Sequence, residues 1–363
     1  MENMMNSNSY NALRLLRKLA ITVFCSSLRG RMTKQFLMLF VFVTIAFKVN
    51  AQVLRARPVS LMGSRFDITI IAADSAQAEK HIDEVIAEMS RIEDLISDWK
   101  ASSQISEVNR NAGIKPIKVD TEVFELTKRS LYFSQLTDGA FDISYAALDK
   151  IWKFDGSMKK MPSAEEIKNS IARVGYKNVQ LDSINSTIFL KLTGMKIGFG
   201  AMGKGYAADK GRELMEGKGV KAGIVNASGD MTTWGVKTNG KAWNVGITNP
   251  FDEEKYIVII PLKREAVTTS GSYEKFVEFD GKRYAHIINP VTGYPATGLI
   301  SVTVLGPSAE MANGFSTSIM VLGKEKGLEL IKKFPDYSCL LVTDDGTVVK
   351  STNFKAKVKK KLK

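Results

Sequence analysis

The residues best suited to chemistry begin at Gly198 with the glycine-rich stretch GFGAMGKGYAADK. Gly198, Gly203 and Lys204 match the first part of a Walker A phosphate loop, G-x-x-x-x-G-K, but Gly205 stands where that loop has a Ser or Thr for magnesium. We expect a strand to end at Ile197 and a helix to begin near Lys204, so that backbone amides at the helix start favour an anion. From this stretch alone, a phosphate site and a packing turn with a surface lysine are equally good interpretations.

Three ionisable side chains elsewhere have the chemistry of a base or a ligand. His286, in HIINPVTGYP, lies between strand-like sequence and a turn, where an imidazole can act as a base near neutral pH. Asp142 in GAFDIS and Asp230 in VNASGDM each follow a turn of small residues and could bind ribose hydroxyls or a metal. The alternatives are a core or turn histidine and two aspartates that only cap turns.

Neutral groups offer a second set of candidates. Asn313 and Thr317 lie four residues apart on a predicted helix, so they share a face and present the oxygen ligands that magnesium prefers. Trp99 follows a long helix and could stack on a flat ring. The polar turn TTSGSYE, which contains Ser270 and Gly271, could donate backbone N–H groups. The alternatives are helix packing, packing at a helix end and a plain hairpin.

The N-terminal segment has the pattern of an export signal. Met32 starts a stretch in which Lys34 precedes the apolar run Phe36–Phe47, and Val49–Ala51 resembles an A-x-A cleavage site. Twelve residues are too few to cross roughly 30 Å of hydrocarbon as a helix. We therefore expect 1–51 to be a leader with a signal peptide, cleaved before Gln52, and the protein to be periplasmic or on the outer face of the cytoplasmic membrane.

The net charge of +13 over 363 residues is concentrated at the two ends of the chain. Residues 1–51 hold seven basic residues and one acidic residue, and 355–363 hold six lysines. Residues 52–354 are nearly neutral, so the high pI gives no case for nucleic-acid binding, and we expect the basic tail to be a solvated end. Past the leader Cys339 has no cysteine to pair with, and its apolar setting predicts a buried core residue.

Between 52 and 354 the sequence predicts one large α+β domain. An amphipathic helix is expected from Ser75 to about Trp99, with His81 outside its apolar stripe and therefore at the surface. Further helices are expected from Asp120 to before Asp138, from Ser163 to about Val174, from Lys204 to a closing glycine, from Ser308 to Gly323, and over 324–334. Strand-like runs crowd between 221 and 305, which predicts mixed, largely antiparallel sheets flanked by helices. This pattern argues against a P-loop NTPase, because that fold needs a parallel sheet.

Taken in order, these pieces resemble the motifs of the ApbE family, the FAD:protein FMN transferases. The likeness covers roughly 52–345, and SDWKASSQISEVN at 97–109 resembles the family pattern S-T-Y-x-x-x-S-E-[IL]-S-x-x-N, with Trp99 in the aromatic place. The other matching stretches are MGSRFDI, DGAFDIS, GFGAMGKGYAAD, VNASGDM, AVTTSGSYE, HIINPVTG and VTVLGPSAEMANGFSTSIMVLG.

The resemblance implies an enzyme that binds FAD, uses Mg²⁺, and transfers FMN to a Thr or Ser hydroxyl of an acceptor protein with release of AMP. The acceptors it implies are flavin-carrying subunits of membrane redox complexes. It makes His286 the base that activates the acceptor hydroxyl. Candidates for the FAD site are Met62, Trp99, Ala140, Phe141, Asp142, Gly198, Lys204, Asp230, Ser270 and Gly271. Candidates for the metal are Ala201, through its carbonyl, Asn313, Ser316 and Thr317.

Three departures from the family pattern each remove a carboxylate. Gly198 replaces the Asp of D-L-G-G, Asn313 replaces the Asp of M-A-D-A-L-[SA]-T, and Asn289 replaces the Asp that follows HII. Neutral ligands attract magnesium less than carboxylates do, so we expect weaker metal binding than in typical members. The same departures favour one alternative, an FAD-binding protein without turnover. A second alternative, an FAD pyrophosphatase that releases FMN and AMP, also stays open, because it shares the site and differs only in the acceptor.

Overall fold

Seven α-helices are present in a computed structural model of the chain, which describes residues 52–272, 276–279, 281–358 and 362. The predicted leader and its cleavage site lie outside these residues, and residues from Gln52 onward form one compact unit. The helices are α1 (Ser75–Ile96), α2 (Gln104–Arg110), α3 (Thr121–Leu136), α4 (Ala164–Ser170), α5 (Gly203–Gly217), α6 (Ala309–Leu322) and α7 (Lys324–Lys332). No helix in the described ranges has both the length and the apolar character of a membrane span.

An eight-stranded antiparallel sheet forms the centre of the fold, in the order β1-β2-β6-β7-β10-β13-β14-β15. Its strands are β1 (Val53–Leu61), β2 (Ser64–Ala72), β6 (Ala222–Ala227), β7 (Asp230–Trp234), β10 (Ala266–Gly271), β13 (Leu299–Gly306), β14 (Ser338–Thr343) and β15 (Val348–Lys350). Three small antiparallel sheets lie outside the central one. The first contains β3 (Ile117–Lys118), β4 (Val179–Asp182) and β5 (Thr187–Leu190). The second pairs β8 (Trp243–Asn249) with β9 (Asp252–Leu262), and the third pairs β11 (Phe276–Phe279) with β12 (Lys282–Ala285). The predicted α+β class is confirmed.

The central sheet has a core on each face, because side chains alternate along a strand. Helices α1, α5 and α6 pack on one face, where Ile70 and Cys339 are buried in the main core. Their neighbours Ile71 and Leu340 point the other way and are buried with residues of the β8–β9 ribbon. The candidate residues discussed below lie on the helix-covered face or at one end of it.

Helix α1 follows its sequence pattern closely. Asp74 caps it by accepting a hydrogen bond from the Gln77 N–H, and it ends at Ile96, three residues before the predicted end at Trp99, because Ser97 is extended. Most of its apolar stripe is buried, and Ile86 and Leu95 are partly buried against the same core. His81 is not the surface residue predicted, since its side chain is only 13% exposed and pairs with Glu84 at 2.9 Å.

Two other expectations are wrong in detail. The strand expected to end at Ile197 stops at Leu190 instead, because the Ile197 N–H and C=O both bond to the Asn109 side chain rather than to a neighbouring strand. The helix that begins with the Ser163 capping box ends at Ser170, not near Val174.

The described part of the basic tail is not fully solvated. Lys355 and Lys357 are exposed, but Ala356 and Val358 alternate with them and pack on the β8–β9 side of the sheet. The Leu362 N–H also donates to the Gly346 carbonyl at 3.0 Å. The alternation of lysine with apolar residues therefore lets the tail dock while its charges face water.

Candidate functional site

The glycine-rich stretch is held in place from two sides before α5 begins. Asn109 donates to the Ile197 carbonyl at 3.0 Å and accepts from the Ile197 N–H at 2.8 Å. The Gly198 N–H donates to the Ile143 carbonyl at 3.0 Å. Helix α5 then starts at Gly203, which leaves Lys204 in its first turn. The predicted arrangement of a glycine turn leading into a helix is therefore present, with an extended segment in place of the strand.

Gly205 explains why the stretch lacks the Walker hydroxyl. A Cβ added at Gly205 would lie 2.4 Å from the Ala309 carbonyl oxygen, which belongs to the start of α6. No side chain fits at that distance unless the backbone moves. Gly205 therefore serves the close contact between α5 and α6, and magnesium cannot be held here as in a P-loop protein.

Two tight turns lie side by side at one end of the central sheet. Met62 and Gly63 join β1 to β2, Ser228 and Gly229 join β6 to β7, and all four have positive φ as a type I′ turn requires. Because β2 pairs antiparallel with β6 and Phe66 lies opposite Ala227, the two turns are neighbours.

Met62 is a non-glycine residue with a φ of 50°, which costs conformational energy. Its Cε lies 3.7 Å from the position of a Cβ on Gly203, so the side chain contacts the start of α5. The structure therefore brings Met62 to the glycine-rich stretch, as the resemblance implies.

Asp230 lies at the same end of the sheet and faces the helices. It begins β7, and only 7% of its surface is exposed. Burial raises the pKa of its carboxyl to about 7, and the nearby Lys204 ammonium opposes this shift. Lys204 and Asp230, predicted separately from two motifs, are thus electrostatic neighbours.

Oxygen atoms from β10 and α6 form a cluster on the same face. The Ser270 hydroxyl is 2.8 Å from the Ser316 hydroxyl and 3.5 Å from that of Thr317. Ser316 also donates to the Asn313 carbonyl at 3.1 Å. The Asn313 side-chain Oδ1 is buried and has no hydrogen-bond partner in the described part of the protein. A buried acceptor without a donor is costly, so this atom is suited to a cation.

The atoms of this cluster that could bind a metal are all oxygens, and oxygen is the ligand atom of magnesium sites. In the described ranges, no three His, Cys, Asp or Glu side chains gather in a way that could hold a metal. The side chains of the candidate residues Asn313 and Thr317 offer neutral oxygens only. Ser316 already has two oxygen partners, which fits a role in holding α6 against β10.

Asp142 is an anchor for its loop. Its carboxylate accepts hydrogen bonds from the Ser144 N–H and hydroxyl and from the Tyr176 N–H, at 2.6–2.8 Å. Burial raises the pKa of this carboxyl, and these hydrogen bonds oppose the shift. Phe141 and Ala140 are buried, and the Phe141 ring is 5.6 Å from Phe133. These three residues can therefore shape a ligand site through their backbone and packing more than through exposed side chains.

His286 lies in a segment that leaves the central sheet and returns to the same end. Gly271, the last residue of β10, pairs with Ser301 of β13, and the segment between them carries the β11–β12 hairpin. His286 follows β12, is half-buried, and has its ring 6.4 Å from that of Phe154. The connectivity thus places His286 in an excursion from the sheet end that carries Ser270 and Gly271.

Asn289 keeps the turn that follows His286. Its side-chain oxygen accepts hydrogen bonds from the N–H groups of Val291 at 2.9 Å and Thr292 at 3.3 Å. An amide oxygen makes these bonds as well as a carboxylate does, so this departure from the family pattern leaves the turn intact. The turn also reaches the Asp142 loop, since a Cβ on Gly139 would lie 3.2 Å from Val291.

Trp99 is 79% exposed, and the Lys150 ammonium lies 4.3 Å from its ring centroid. Its indole face is therefore presented to solvent, apart from this cation–π contact, and is free to stack on a planar ligand. A packing role at the end of α1, the alternative left open by the sequence, does not agree with this exposure.

A separate cleft of about 390 Å³ lies between α1, α3 and α5 and contains none of the predicted site residues. It is lined by Glu88, Arg91, Thr121, Glu122, Glu125, Arg129, Tyr206 and Lys210. Its charged groups largely pair with one another, as Arg91 does with Glu88 and Glu122. We therefore assign the candidate site to the sheet end and not to this cleft.

The model of the ApbE family matches residues 62–341 of this chain. The chain belongs to the ApbE family. It is 34% identical over 278 residues to an FAD:protein FMN transferase of Klebsiella pneumoniae (strain 342), covering 75% of this chain and 79% of that one. A Treponema pallidum protein of the same name is 31% identical over 289 residues, with 76% and 80% covered.

Solved ApbE structures share the fold. The ApbE protein of Thermotoga maritima superposes with a TM-score of 0.76 at 32% identity, over 84% of this chain and 98% of that one. The apo form of the Pseudomonas stutzeri flavinyl transferase ApbE gives 0.75 at 28% identity, over 85% and 98%.

Several residues that hold this ApbE site together were not assigned a role from the sequence. Asn109 is the final residue of the SDWKASSQISEVN motif, and that position was the available signal for its contact with Ile197. Asp209, in the second half of the glycine-rich motif, accepts hydrogen bonds from the Ser308 hydroxyl at 2.7 Å and the Glu310 N–H at 3.0 Å. It thereby fixes the start of α6 against α5.

Proposed function

We propose that this chain is an FAD:protein FMN transferase, which moves FMN from FAD to a Thr or Ser hydroxyl of an acceptor protein and releases AMP. One observation carries the proposal. In a chain of the ApbE family, the sheet end brings the Lys204 ammonium near the Asp230 carboxyl and carries the oxygen cluster of β10 and α6 that includes Asn313 and Thr317. This combination suits a pyrophosphate substrate, because its negative charge is neutralised by a cationic side chain and by a metal ion that oxygen ligands hold.

The reaction forms one P–O bond and breaks one. The acceptor hydroxyl oxygen attacks the phosphorus of the FMN half, its proton passes to the His286 imidazole, and the bridging oxygen leaves with AMP. Lys204 and the amides at the start of α5 offset the charge that develops on the phosphoryl oxygens. Trp99 offers an exposed ring for the planar part of FAD, and Met62 borders the glycine-rich stretch.

Magnesium is part of the proposal. The residues that would hold it are Ala201 through its carbonyl, Asn313 through Oδ1 and Thr317 through its hydroxyl. They fit the ion because Asn313 Oδ1 is a buried acceptor without a donor in the described structure, and Thr317 lies one turn further along the same helix. When bound, the ion supplies charge neutralisation at the pyrophosphate. Ser316 supports the set by fixing Ser270 and the α6 backbone.

Two other functions stay open, and the neutral residues at positions 198 and 313 favour the second of them. An FAD pyrophosphatase would use the same residues with water as the acceptor. An FAD-binding protein would hold the dinucleotide without turnover, because metal binding at Asn313 is too weak. Both predict FAD binding and differ from the transferase in the product.

The test is to incubate the purified chain, from Gln52 onward, with FAD, magnesium and a flavin-carrying acceptor subunit, and to weigh the acceptor by mass spectrometry. An acceptor mass increased by FMN minus water supports the transferase. Free FMN and AMP with an unmodified acceptor support the pyrophosphatase. FAD that copurifies and stays intact supports binding alone, and either of the last two results overturns the main proposal.

We also propose that the enzyme acts outside the cytoplasmic membrane on subunits of membrane redox complexes. The support is the export pattern of 1–51 and the acceptors that the family resemblance implies. N-terminal sequencing of the mature protein, purified from fractionated cells, should give Gln52 as the first residue in the periplasmic or membrane fraction. Recovery of the uncleaved chain from the cytoplasm would contradict this proposal.

A further inference from the structure

Gly198 is a candidate FAD contact that has no side chain, and another residue fills the space that its side chain would take. An ideal Cβ on Gly198 would lie 3.1 Å from Asp98 Oδ2, 3.3 Å from Asp98 Cγ and 3.2 Å from Ala146 Cβ. The Asp98 carboxylate is therefore in contact with the first residue of the glycine-rich stretch. It arrives from the segment between α1 and α2, one residue before Trp99.

The two positions depart from the family pattern together. The pattern D-L-G-G puts Asp at position 198, where this chain has Gly, and the pattern S-T-Y puts Thr at position 98, where this chain has Asp. A carboxylate is lost at one position and gained at the other, and the two positions touch in space. The simplest physical account is that the carboxylate has changed its place in the sequence but not its place in the site.

The surroundings of Asp98 leave it available to a ligand. The residue as a whole is exposed although its carboxyl is partly buried, and within the described ranges it has no ion pair and no hydrogen bond to another side chain. Burial of its carboxyl raises the pKa, and its own backbone N–H together with Lys150 and Lys196 opposes the shift. Lys150 also lies over the Trp99 ring, so the carboxylate is next to the aromatic surface proposed for FAD.

We propose that Asp98 is a further FAD-binding residue of this chain, whose carboxylate accepts a hydrogen bond from an N–H or O–H group of FAD at the place where a side chain on residue 198 would do so. This inference rests on the proposed use of FAD. It does not require transfer, because it concerns the binding step only. Asp98 is not among the candidate residues named from the sequence, and the family motif has no carboxylate at its position.

A cycle of three variants tests the proposal through the Kd for FAD, measured by flavin fluorescence with EDTA present and again with magnesium. Asp98→Thr should raise the Kd by about tenfold or more, because a charge-assisted hydrogen bond is lost. Gly198→Asp alone should also raise it, since its Cβ would meet Asp98 and two carboxylates would crowd one place. The double variant should return the Kd to within a few-fold of the parent.

Controls separate binding from folding. Asp94→Thr removes an exposed carboxylate on α1 that pairs with Lys100, and it should leave the Kd unchanged. The melting temperature of Asp98→Thr should stay close to that of the parent, which a purely structural role would not predict. Repeating the titration with FMN and with AMP shows which half of FAD meets Asp98.

An unchanged Kd in Asp98→Thr, or additive losses in the double variant, would overturn the role of Asp98 even if transfer is normal. A parent protein that binds FAD with the expected coupling but modifies no acceptor would overturn the proposed function and leave the role of Asp98 in place. The two ideas therefore fail by different observations.

Discussion

Asn313 places an uncharged oxygen where the family pattern has a carboxylate. Its Oδ1 is buried and lacks a partner in the described structure, while its backbone carbonyl already receives the Ser316 hydroxyl. His286 is the other residue on which the chemistry depends, and it lies in a separate excursion of the chain. These two residues test different steps, since one concerns metal binding and the other proton removal.

Replacing Asn313 with Asp should tighten magnesium binding. A buried carboxylate adds a full negative charge to an oxygen cluster, so we expect the Kd for Mg²⁺ to fall by about tenfold in calorimetry. Without metal the same charge lacks a counter-ion, so the melting temperature in EDTA should fall. Asn239→Asp adds an equal charge on an exposed turn and should change neither value. Equal metal affinity in parent and Asn313→Asp would contradict the assignment of this residue.

Replacing His286 with Ala should abolish FMN transfer and leave the Kd for FAD within a few-fold of the parent value. The reason is that the imidazole removes a proton from the acceptor and is not needed to hold FAD. The matched control is His81→Ala, since His81 lies on α1 in contact with Glu84 and should be dispensable. Transfer is measured by acceptor mass. Persistent transfer in His286→Ala would mean that another group is the base.

Helices α5 and α6 approach closely at Gly205, where an added Cβ would lie 2.4 Å from the Ala309 carbonyl oxygen. Asp209 reinforces this contact by bonding to Ser308 and Glu310 at the start of α6. The contact sets the position of Asn313 and Thr317 relative to Lys204. Gly205, which breaks the Walker A pattern, is therefore required for the packing of α5 against α6.

Gly205→Ser, which would restore the Walker pattern, should lower the free energy of unfolding by at least about 2 kcal/mol because its Cβ would overlap the Ala309 backbone. The comparison is Gly217→Ser at the end of the same helix, where an added Cβ has nothing within 4 Å. Urea denaturation followed by circular dichroism gives both values. Similar stability in the two variants would show that α5 and α6 can separate at no cost.

At the scale of the whole molecule, antiparallel pairing collects the candidate residues at one end of one sheet. Asp230 lies there, buried between the sheet and the helices, with a pKa near 7 against an ordinary value of 3.8. Between these two pH values the folded state holds a proton that the unfolded state releases. The stability contributed by this group is therefore fully present below pH 3.8 and is lost as the pH rises from there through about 7.

The loss of stability with rising pH at Asp230 gives a prediction for the protein without metal or FAD. Asp230→Asn should raise the melting temperature, relative to the parent, more at pH 8 than at pH 5, because only at pH 8 does the parent bury a charged carboxylate. Asp336→Asn, on an exposed turn, is the control and should show the same difference at both pH values. A difference for Asp230→Asn that does not grow with pH would show that the carboxyl is solvated or firmly paired.

Local features of the fold follow from short stretches of sequence. The apolar stripe of α1, the capping box at Ser163 and the buried Cys339 depend on neighbouring residues and could be predicted correctly. The order of motifs also identified the family, because the residue types and spacing of a motif can be recognised along the chain without knowledge of the fold.

Contacts between residues distant in the chain are visible only in the folded protein. The contact of Asn109 with Ile197, the fit of Gly205 against Ala309, and the carboxylate of Asp98 against Gly198 join residues far apart in the chain. No periodicity or spacing encodes such contacts, because they depend on strand register and on the distance between helices. From the sequence, Gly198 shows only that a carboxylate is absent. The folded protein places the Asp98 carboxylate against Gly198, so a carboxylate is present at the same place.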